Sequence, residues 1–457
     1  MEKYDLIVIG AGSGLTVASQ ASSMDMKIAL VEKGPMGGTC LNRGCIPSKA
    51  LLHSADIMAT IDEAKRFGIH VKEVSINFEE VMNWMRHVIR GDAEEIEEAI
   101  NSDHNTTLYK DEARFVSDMT LQVGGREITG DKIVIAAGTR EFAPPIKGLE
   151  KAGYLTSTTL LENNRQPKKL VIIGGGYIGC EYAHFFSRLG TEVTIIQRNK
   201  LLVPEEDIDI AQAFTDYMKQ KVNVLTNTEA REVERKENQK IVLFYDTAKK
   251  EEGSITCDEI LVAAGRIPNT DILNVDKTGV KTNQKGFIIV DDYLKTSHEN
   301  IWAFGDIIGK YQFKHVANYE AEYAVYNALM GRNYKVDYSV IPHAIFTYPQ
   351  IAGVGITEQE ARVKGMKIKI GKDEYKSVGK AMAIGEEFGF GKSIIDAETN
   401  RILGVHMIGK DAAELIHEAI VAMNSENGMT STILTSIHIH PTLAEIMPGV
   451  VGNIVVK

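Results

Sequence analysis

Cysteine is scarce in this chain of 457 residues. There are four, Cys40, Cys45, Cys180 and Cys257, which excludes a disulfide-stapled scaffold and leaves an all-cysteine zinc site only if all four converge. Long apolar runs are missing too, since none approaches the roughly 20 residues that span a bilayer. The opening Met1-Glu2-Lys3-Tyr4-Asp5 has neither the basic start nor the cleavage site of a signal peptide. Both absences point to the cytoplasm, where a close cysteine pair is more often catalytic or metal-binding than structural. A basic excess is lacking as well: the net charge of −11 argues against nucleic acid or an anionic membrane as the main partner. No low-complexity linker breaks the chain, so its units are expected to pack tightly. The remainder, 44% hydrophobic and 25% charged, is ordinary globular protein, long enough for about three domains.

The chain contains an internal repeat. Residues 4–32 read as an apolar strand, a glycine turn (Gly10-Ala11-Gly12-Ser13-Gly14), a helix and a second strand ending at Glu32. Residues 169–197 follow the same plan through Gly174-Gly175-Gly176-Tyr177-Ile178-Gly179 to a strand ending at Gln197. Two such openings predict two dinucleotide-binding units. A second echo supports this. The apolar strands 133–139 and 260–266 both run into Ala-Ala-Gly, and Gly138 and Gly265 would let backbone approach a bound cofactor. In the first turn Leu15 occupies the place of the usual third glycine, a departure expected to cost packing rather than the phosphate site. Glu32 supplies the carboxylate expected on an adenosine ribose. Residues 80–104 are helical by periodicity, with a solvated charged face at Asp92–Glu98. From about 340 onwards, strands at Met366–Ile370, Lys392–Ile395 and Leu403–Ile408 and helices at 411–424 and 441–447 predict a third, mostly antiparallel unit.

Directly after the first unit comes Gly37-Gly38-Thr39-Cys40-Leu41-Asn42-Arg43-Gly44-Cys45-Ile46-Pro47-Ser48-Lys49. Two cysteines with four residues between them on one helical turn bridge only with matched geometry. A half zinc site is a poor alternative, because no matching cysteine or histidine pair completes four ligands; no resident metal is expected. A further constellation is His438-Ile439-His440-Pro441-Thr442-Leu443-Ala444-Glu445. Proline suits the first helical position, so His440 is expected to cap a short helix with Glu445 about one turn along it. The helix end favours neutral imidazole and the carboxylate opposes it, a balance that places a base near working pH. His438 reads as structural.

The cysteine segment closely resembles the active-site signature of the pyridine nucleotide–disulfide oxidoreductases, particularly the lipoamide enzymes, and the resemblance extends over essentially the whole chain. It implies two Rossmann-like α/β domains, for FAD and NAD(P), and a C-terminal α+β dimerisation domain. The FAD domain would be discontinuous (1–147 and 271–335), with the nicotinamide domain at 148–270 and the interface domain at 336–457. It implies a Cys40–Cys45 redox disulfide, with Cys45 next to the flavin as a charge-transfer thiolate and Cys40 as the interchange thiol. Lys49 would lie near the flavin, paired with Glu181, and the partner subunit's His440, oriented by Glu445, would act on Cys40 in a shared homodimer site. FAD contacts are implied at Gly10, Gly12, Gly14, Glu32, Gly38, Thr39, Lys49, Ala113, Gly138, Thr139, Asp306 and Ala317. Asp306 closes Ile301-Trp302-Ala303-Phe304-Gly305-Asp306, which resembles the family's second FAD motif. NAD(P) contacts are implied at Gly174, Gly176, Tyr177, Ile178, Gly179, Glu181, Gln197, Arg198, Gly265 and Arg266.

Among activities, dihydrolipoyl dehydrogenase leads. An NADPH-dependent reductase of mercuric ion or of another disulfide (glutathione or coenzyme A type) stands second. Against mercuric ion, residues Gly449–Lys457 lack the paired cysteines of those enzymes and no N-terminal metal-capture domain precedes the first unit. A non-enzymatic flavin redox sensor stands third, disfavoured by the joint presence of both cysteines, Lys49, Glu181, His440 and Glu445. Gln197 departs from the carboxylate usual in NAD users; with Arg198 and Lys200 beside it, the site is expected to accept the 2′-phosphate of NADPH. Two further departures are Cys180, read as a packed helix thiol, and Arg43, where the lipoamide enzymes carry an aliphatic residue.

Overall fold

The structure is a computed structural model that describes residues 1–455, so Val456 and Lys457, the last two residues of the expected interface domain, lie outside the described residues. Among the described residues three main sheets organise the chain. The first has seven strands, ordered Thr106–Tyr109, Ile28–Val31, Glu2–Ile9, Arg126–Ile135, Thr120–Val123, Ala113–Ser117, with Ile301–Ala303 added in parallel to Arg126–Ile135. Its centre is parallel: Leu6–Ile9 pair with Ile28–Val31 on one side and with Lys132–Ile135 on the other. These strands are buried on both faces, hence their continuous apolar sequence rather than an alternating one. The return of Ile301–Ala303 to this sheet, after the whole second unit has intervened, brings Gly305 and Asp306 to the end of the strand Arg126–Ile135, where Asp306 meets Thr139.

The second sheet is parallel, ordered Asn223–Leu225, Glu192–Ile196, Lys169–Ile173, Glu259–Val262, and carries a three-stranded antiparallel meander over 228–257. A two-stranded ribbon, Thr139–Glu141 against Arg266–Pro268, ties the two units together. The third sheet is antiparallel, ordered Pro342–Ile345, Gln350–Gly355, Ile402–Gly409, Phe390–Asp396, Ile368–Glu374, Ile454–Val455. It is fastened to the second unit by Lys392, fully buried, whose ammonium meets Asp207 and Asp209 at 2.8 Å each and Glu358 at 2.7 Å. Removing one partner of such a buried cluster leaves uncompensated charge, a loss of about 3–5 kcal/mol. No helix among the described residues is long and apolar enough to cross a membrane.

Three local expectations need correction. The region 80–104 forms two helices, Phe78–Val88 and Asp92–Asn101, because Gly91 at φ +99° interrupts the helical path. Cys40 and Cys45 do not share a helical turn: Cys40 lies on the helix Gly38–Arg43 and Cys45 begins the helix Cys45–Glu63, with Gly44 (φ −133°, ψ −106°) breaking the path between them. Pro441 does not open the final helix. His440–Pro441 is a cis peptide, and the helical path starts at Leu443. Thr442, not His440, is its cap residue, and the backbone N–H of Thr442 donates to Glu445 Oε2 at 3.0 Å.

Candidate active site

The first glycine turn is shaped by close backbone approach. Gly10 has φ +106°, and a Cβ there would stand 2.4 Å from the carbonyl oxygen of Ala136. A Cβ on Gly38 would stand 2.8 Å from the Cα of Gly12, so the turn and the cysteine helix meet backbone to backbone. Glu32 ends its strand with both oxygens engaged, accepting from the N–H of Ala11 at 2.8 Å and of Gly34 at 2.7 Å. It borders a cleft whose other walls include Gly10, Lys33, Ala113, Ala137 and Asn269, a mixed apolar and carboxylate enclosure suited to an adenosine. Opposite, Asp306 is pushed up by burial, which the nearby Arg266 guanidinium and a 3.0 Å hydrogen bond from Thr139 Oγ1 oppose. A half-buried carboxylate of this kind suits a polyol chain. Ala317 packs against this turn, 3.3 Å from where a Cβ on Gly305 would lie. Gly138 and Gly265, at φ +62° and +127°, have open space where a Cβ would project. These features fit the parts of FAD: adenosine at Glu32 and Ala113, pyrophosphate along Gly12 and Gly38, with Gly14 and the exposed Thr39 flanking, and ribityl chain at Asp306.

At the cysteines both thiols are free and half-buried, and they hydrogen-bond to each other. The hydrogen bond from Cys40 is the main reason the Cys45 thiol is pulled down to about 7, with the Lys49 ammonium helping against burial. That same bond, with burial, pushes Cys40 upward. Above about pH 7 the opposed shifts therefore favour the negative charge on Cys45 and the proton on Cys40. Lys49 binds both oxygens of the buried Glu181 at 2.9 and 3.0 Å. Glu181 Oε1 also accepts from the N–H of Phe346 at 2.9 Å, and Lys49 lies 4.5 Å from the centre of the Phe346 ring. Sequence reasoning missed Phe346 because a backbone donor and a ring face have no spacing signature. It missed Asn269 too, whose amide donates to Ala137 O at 2.7 Å, although the echo of the two Ala-Ala-Gly strands pointed to its neighbourhood.

In the second unit Gly174 repeats the role of Gly10, with φ +116° and its Cβ position 2.2 Å from Ala263 O. Gly176 precedes the helix Tyr177–Arg188, which opens with Tyr177, 38% exposed, followed by the half-buried Ile178. Gln197 is buried, its amide donating to Leu201 O at 3.2 Å, while Arg198 and Lys200 are exposed. Arg266 reaches across to Thr139, donating to its Oγ1 at 2.7 Å and its carbonyl at 2.8 Å, so it stands between the two nucleotide units. Cys180 is fully buried, its thiol pushed up by burial, a packed helix residue. His440 Nδ1 hydrogen-bonds Glu445 Oε1 at 2.8 Å, which lowers that carboxylate. In the single chain the imidazole is three-quarters exposed, among the still more exposed Ile437 and Ile439. His438 is held by Glu418 at 2.7 Å.

Residues 4–321 match the family described as pyridine nucleotide-disulphide oxidoreductase, and residues 341–450 match its dimerisation domain. The chain is 37% identical over 451 residues to a dihydrolipoyl dehydrogenase of Chlamydia pneumoniae, covering 97% of this chain and 95% of the relative. It is 36% identical over 422 residues to a mercuric reductase of Bacillus cereus, covering 92% and 67%. Among solved structures, the HOCl-induced flavoprotein disulfide reductase RclA of Escherichia coli, as a Cu(II) complex, superposes with a TM-score of 0.85 at 30% identity, covering 97% of this chain and 98% of that one.

Proposed function

The chain belongs to the pyridine nucleotide–disulphide oxidoreductases, FAD-dependent enzymes that use NAD(P), and within that family we propose that it is a cytoplasmic dihydrolipoyl dehydrogenase working as a homodimer. The observation that carries the sulfur chemistry is the unequal pair of thiols: Cys45 poised as thiolate beside Lys49, Cys40 holding the proton. The choice of dithiol is supported by the lipoamide-like run from Gly37 to Lys49.

In this reading one sulfur of a dihydrolipoyl substrate attacks Cys40 of the disulfide, and Cys45 leaves as thiolate. His440 of the partner subunit, oriented by Glu445, takes the substrate proton. The second substrate sulfur then displaces Cys40, leaving oxidised lipoyl and the reduced pair. Bound FAD would supply the carrier that passes the electron pair on to the nicotinamide. Lys49 places positive charge at the cofactor, and Glu181 fixes that lysine.

The test is anaerobic reduction of the purified holoenzyme with assays against lipoamide, glutathione disulfide, coenzyme A disulfide and mercuric ion. A long-wavelength charge-transfer band is expected. Because the Cys45 thiol is lowered, its thiolate is present above about pH 7 and lost as pH falls through that value, and the band should fade over that window. Cys45→Ser should abolish the band with FAD retained, and Cys40→Ser should keep it while stopping turnover. Full disulfide activity in both variants would sink the redox-centre assignment, and turnover of mercuric ion but not lipoamide would move the chain to the reductase reading.

A further inference from the structure

Lys314 is the first residue of the helix Lys314–Ala324 and is half-buried at the flavin-side glycine turn. Its Nζ donates to Ser13 Oγ at 3.0 Å, and Ser13 Oγ donates to Asn318 Oδ1 at 2.8 Å, one turn along the same helix. Ser13 directly follows Gly12, whose Cα lies 2.8 Å from the Cβ position of Gly38, and Gly38 opens the helix that carries Cys40. A chain of direct contacts therefore ties the ammonium to the cysteine helix. The anchor is a neutral hydroxyl, which holds the side chain without neutralising it. Lys49, by contrast, is held by the carboxylate of Glu181.

We propose that Lys314 is a second cation of the dithiol centre, a positioning residue that stabilises the reduced pair from the Cys40 side while Lys49 does so from the Cys45 side. The inference rests on the disulfide-oxidoreductase reading above. In the step it assists, two electrons from the dihydrolipoyl substrate break the Cys40–Cys45 bond, leaving oxidised lipoyl; one sulfur of the pair takes a proton and the other remains thiolate. Both lysines favour that product over the neutral disulfide. Within the chain the charged and titratable groups around the pair are Cys40, Cys45 and Lys49, with Glu181 and Tyr177 from the helix Tyr177–Arg188, and Lys314; in the dimer of that reading His440 of the partner subunit, paired with the partner's Glu445, joins them. The electrostatics run in the same direction. Burial lowers Lys314 while ionised Cys40 and Cys45 raise it, and Lys314 pulls Cys40 down against the larger effects of its partner thiol and burial. For Cys45 the opposing lysine is Lys49.

The experiment is equilibration of the dimeric holoenzyme in oxidised and reduced dithiothreitol mixtures, with the pair's state read by alkylation and mass. Lys314→Met should shift the equilibrium roughly tenfold towards the disulfide, about 30 mV to lower potential for a two-electron couple. Lys314→Arg, which keeps the charge, should stay within about twofold. In a pH titration of the charge-transfer band the Met variant should show a higher midpoint, which a purely structural role would not produce. Lys314→Gln keeps a donor for Ser13 and removes the charge, so it should reproduce the Met shift even if Met disturbs the turn. A wild-type pair that titrates normally, with Gln and Met potentials unshifted, overturns this proposal alone. A wild-type pair that never cycles between dithiol and disulfide overturns it together with the functional reading.

Discussion

The two strand–helix–strand units share one frame yet make opposite demands at matching positions. In each, a left-handed glycine opens the turn, Gly10 and Gly174, and the carbonyl of the first alanine of an Ala-Ala-Gly strand lies where its Cβ would go. Beyond that they diverge. In the second unit the helix approaches its own turn most closely at Gly179, whose Cβ would stand 2.1 Å from Gly174 O and 3.3 Å from Ile172 Cγ2 of the strand. In the first unit the matching residue is Leu15, partly buried against the core, and the close approach has moved one residue earlier. Gly14 there lies with its Cβ position 3.0 Å from Val8 Cγ1. The strand ends differ too: Glu32 holds two backbone N–H groups, whereas Gln197 donates to a carbonyl. One turn is thus set against the cysteine helix, the other against its own following helix.

That contrast is sharpest at Gly38. With φ +67° and backbone of Gly12 facing it, Gly38→Val should separate the turn from the cysteine helix and close the pyrophosphate path. The expected product is a folded protein without flavin, read as loss of 450 nm absorbance relative to 280 nm and disulfide reduction at background. Full flavin occupancy in this variant would show that the Gly12–Gly38 contact does not frame the cofactor. The next effect is at Gly179. Its Cβ would collide with the backbone carbonyl of Gly174, which cannot yield without moving the glycine turn. Gly179→Ala should therefore cost about 2–4 kcal/mol of stability and weaken nicotinamide binding, while leaving flavin content near wild type. Thermal unfolding and flavin absorbance together separate the two units; equal loss of both would erase the distinction.

These contrasts also show what sequence can carry. The repeat, the Cys40–Cys45 segment and the His440–Glu445 pair were legible because each is a spacing of chemically distinctive residues, whereas the pairing of Lys49 with Glu181, 132 positions apart, came only from the resemblance to the family. The placement of Asp306 was legible from its motif. The break at Gly44 was not, since glycine tolerates many conformations and flanking residues do not fix which one is used. Nor was the cap at Thr442, where helix-start rules favoured Pro441 over the residue after it. The contacts Arg266–Thr139, Lys314–Ser13 and Phe346–Glu181 join residues 127, 301 and 165 positions apart, separations at which no periodicity survives. Arg43 reaches towards Gly34, its Nη2 2.9 Å from where a Cβ would be, a direction that composition alone could not supply.

A smaller effect is expected where the strands end. Glu32 is committed to backbone donors, so its counterpart Gln197 marks the more adjustable site. Gln197→Glu places a negative charge where a 2′-phosphate would lie, and should move the ratio of kcat/KM for NADPH over NADH towards NADH by roughly tenfold, about 1.4 kcal/mol. Arg198→Ala, removing an exposed guanidinium, should weaken NADPH more than NADH. Strict NADH use by the wild type, with Arg198→Ala silent, would make the two strand ends functionally alike despite their different residues.

The smallest effect belongs to Leu15, the residue that stands where the second unit requires glycine. Its side chain is partly buried against the first core, and the helix reaches its strand at Gly14 instead. Truncation should therefore remove a modest apolar contact and leave the turn in place. Full burial of a leucine is worth about 1.5–3 kcal/mol. Half-burial, together with the slightly better helix propensity of alanine, puts Leu15→Ala at about 1 kcal/mol destabilising, with flavin content and turnover unchanged. Denaturant unfolding against the Gly179→Ala variant gives the comparison. A loss at Leu15 as large as that at Gly179, or release of FAD, would mean that the first turn depends on this position after all and that Gly14 has not taken over the close-packing role.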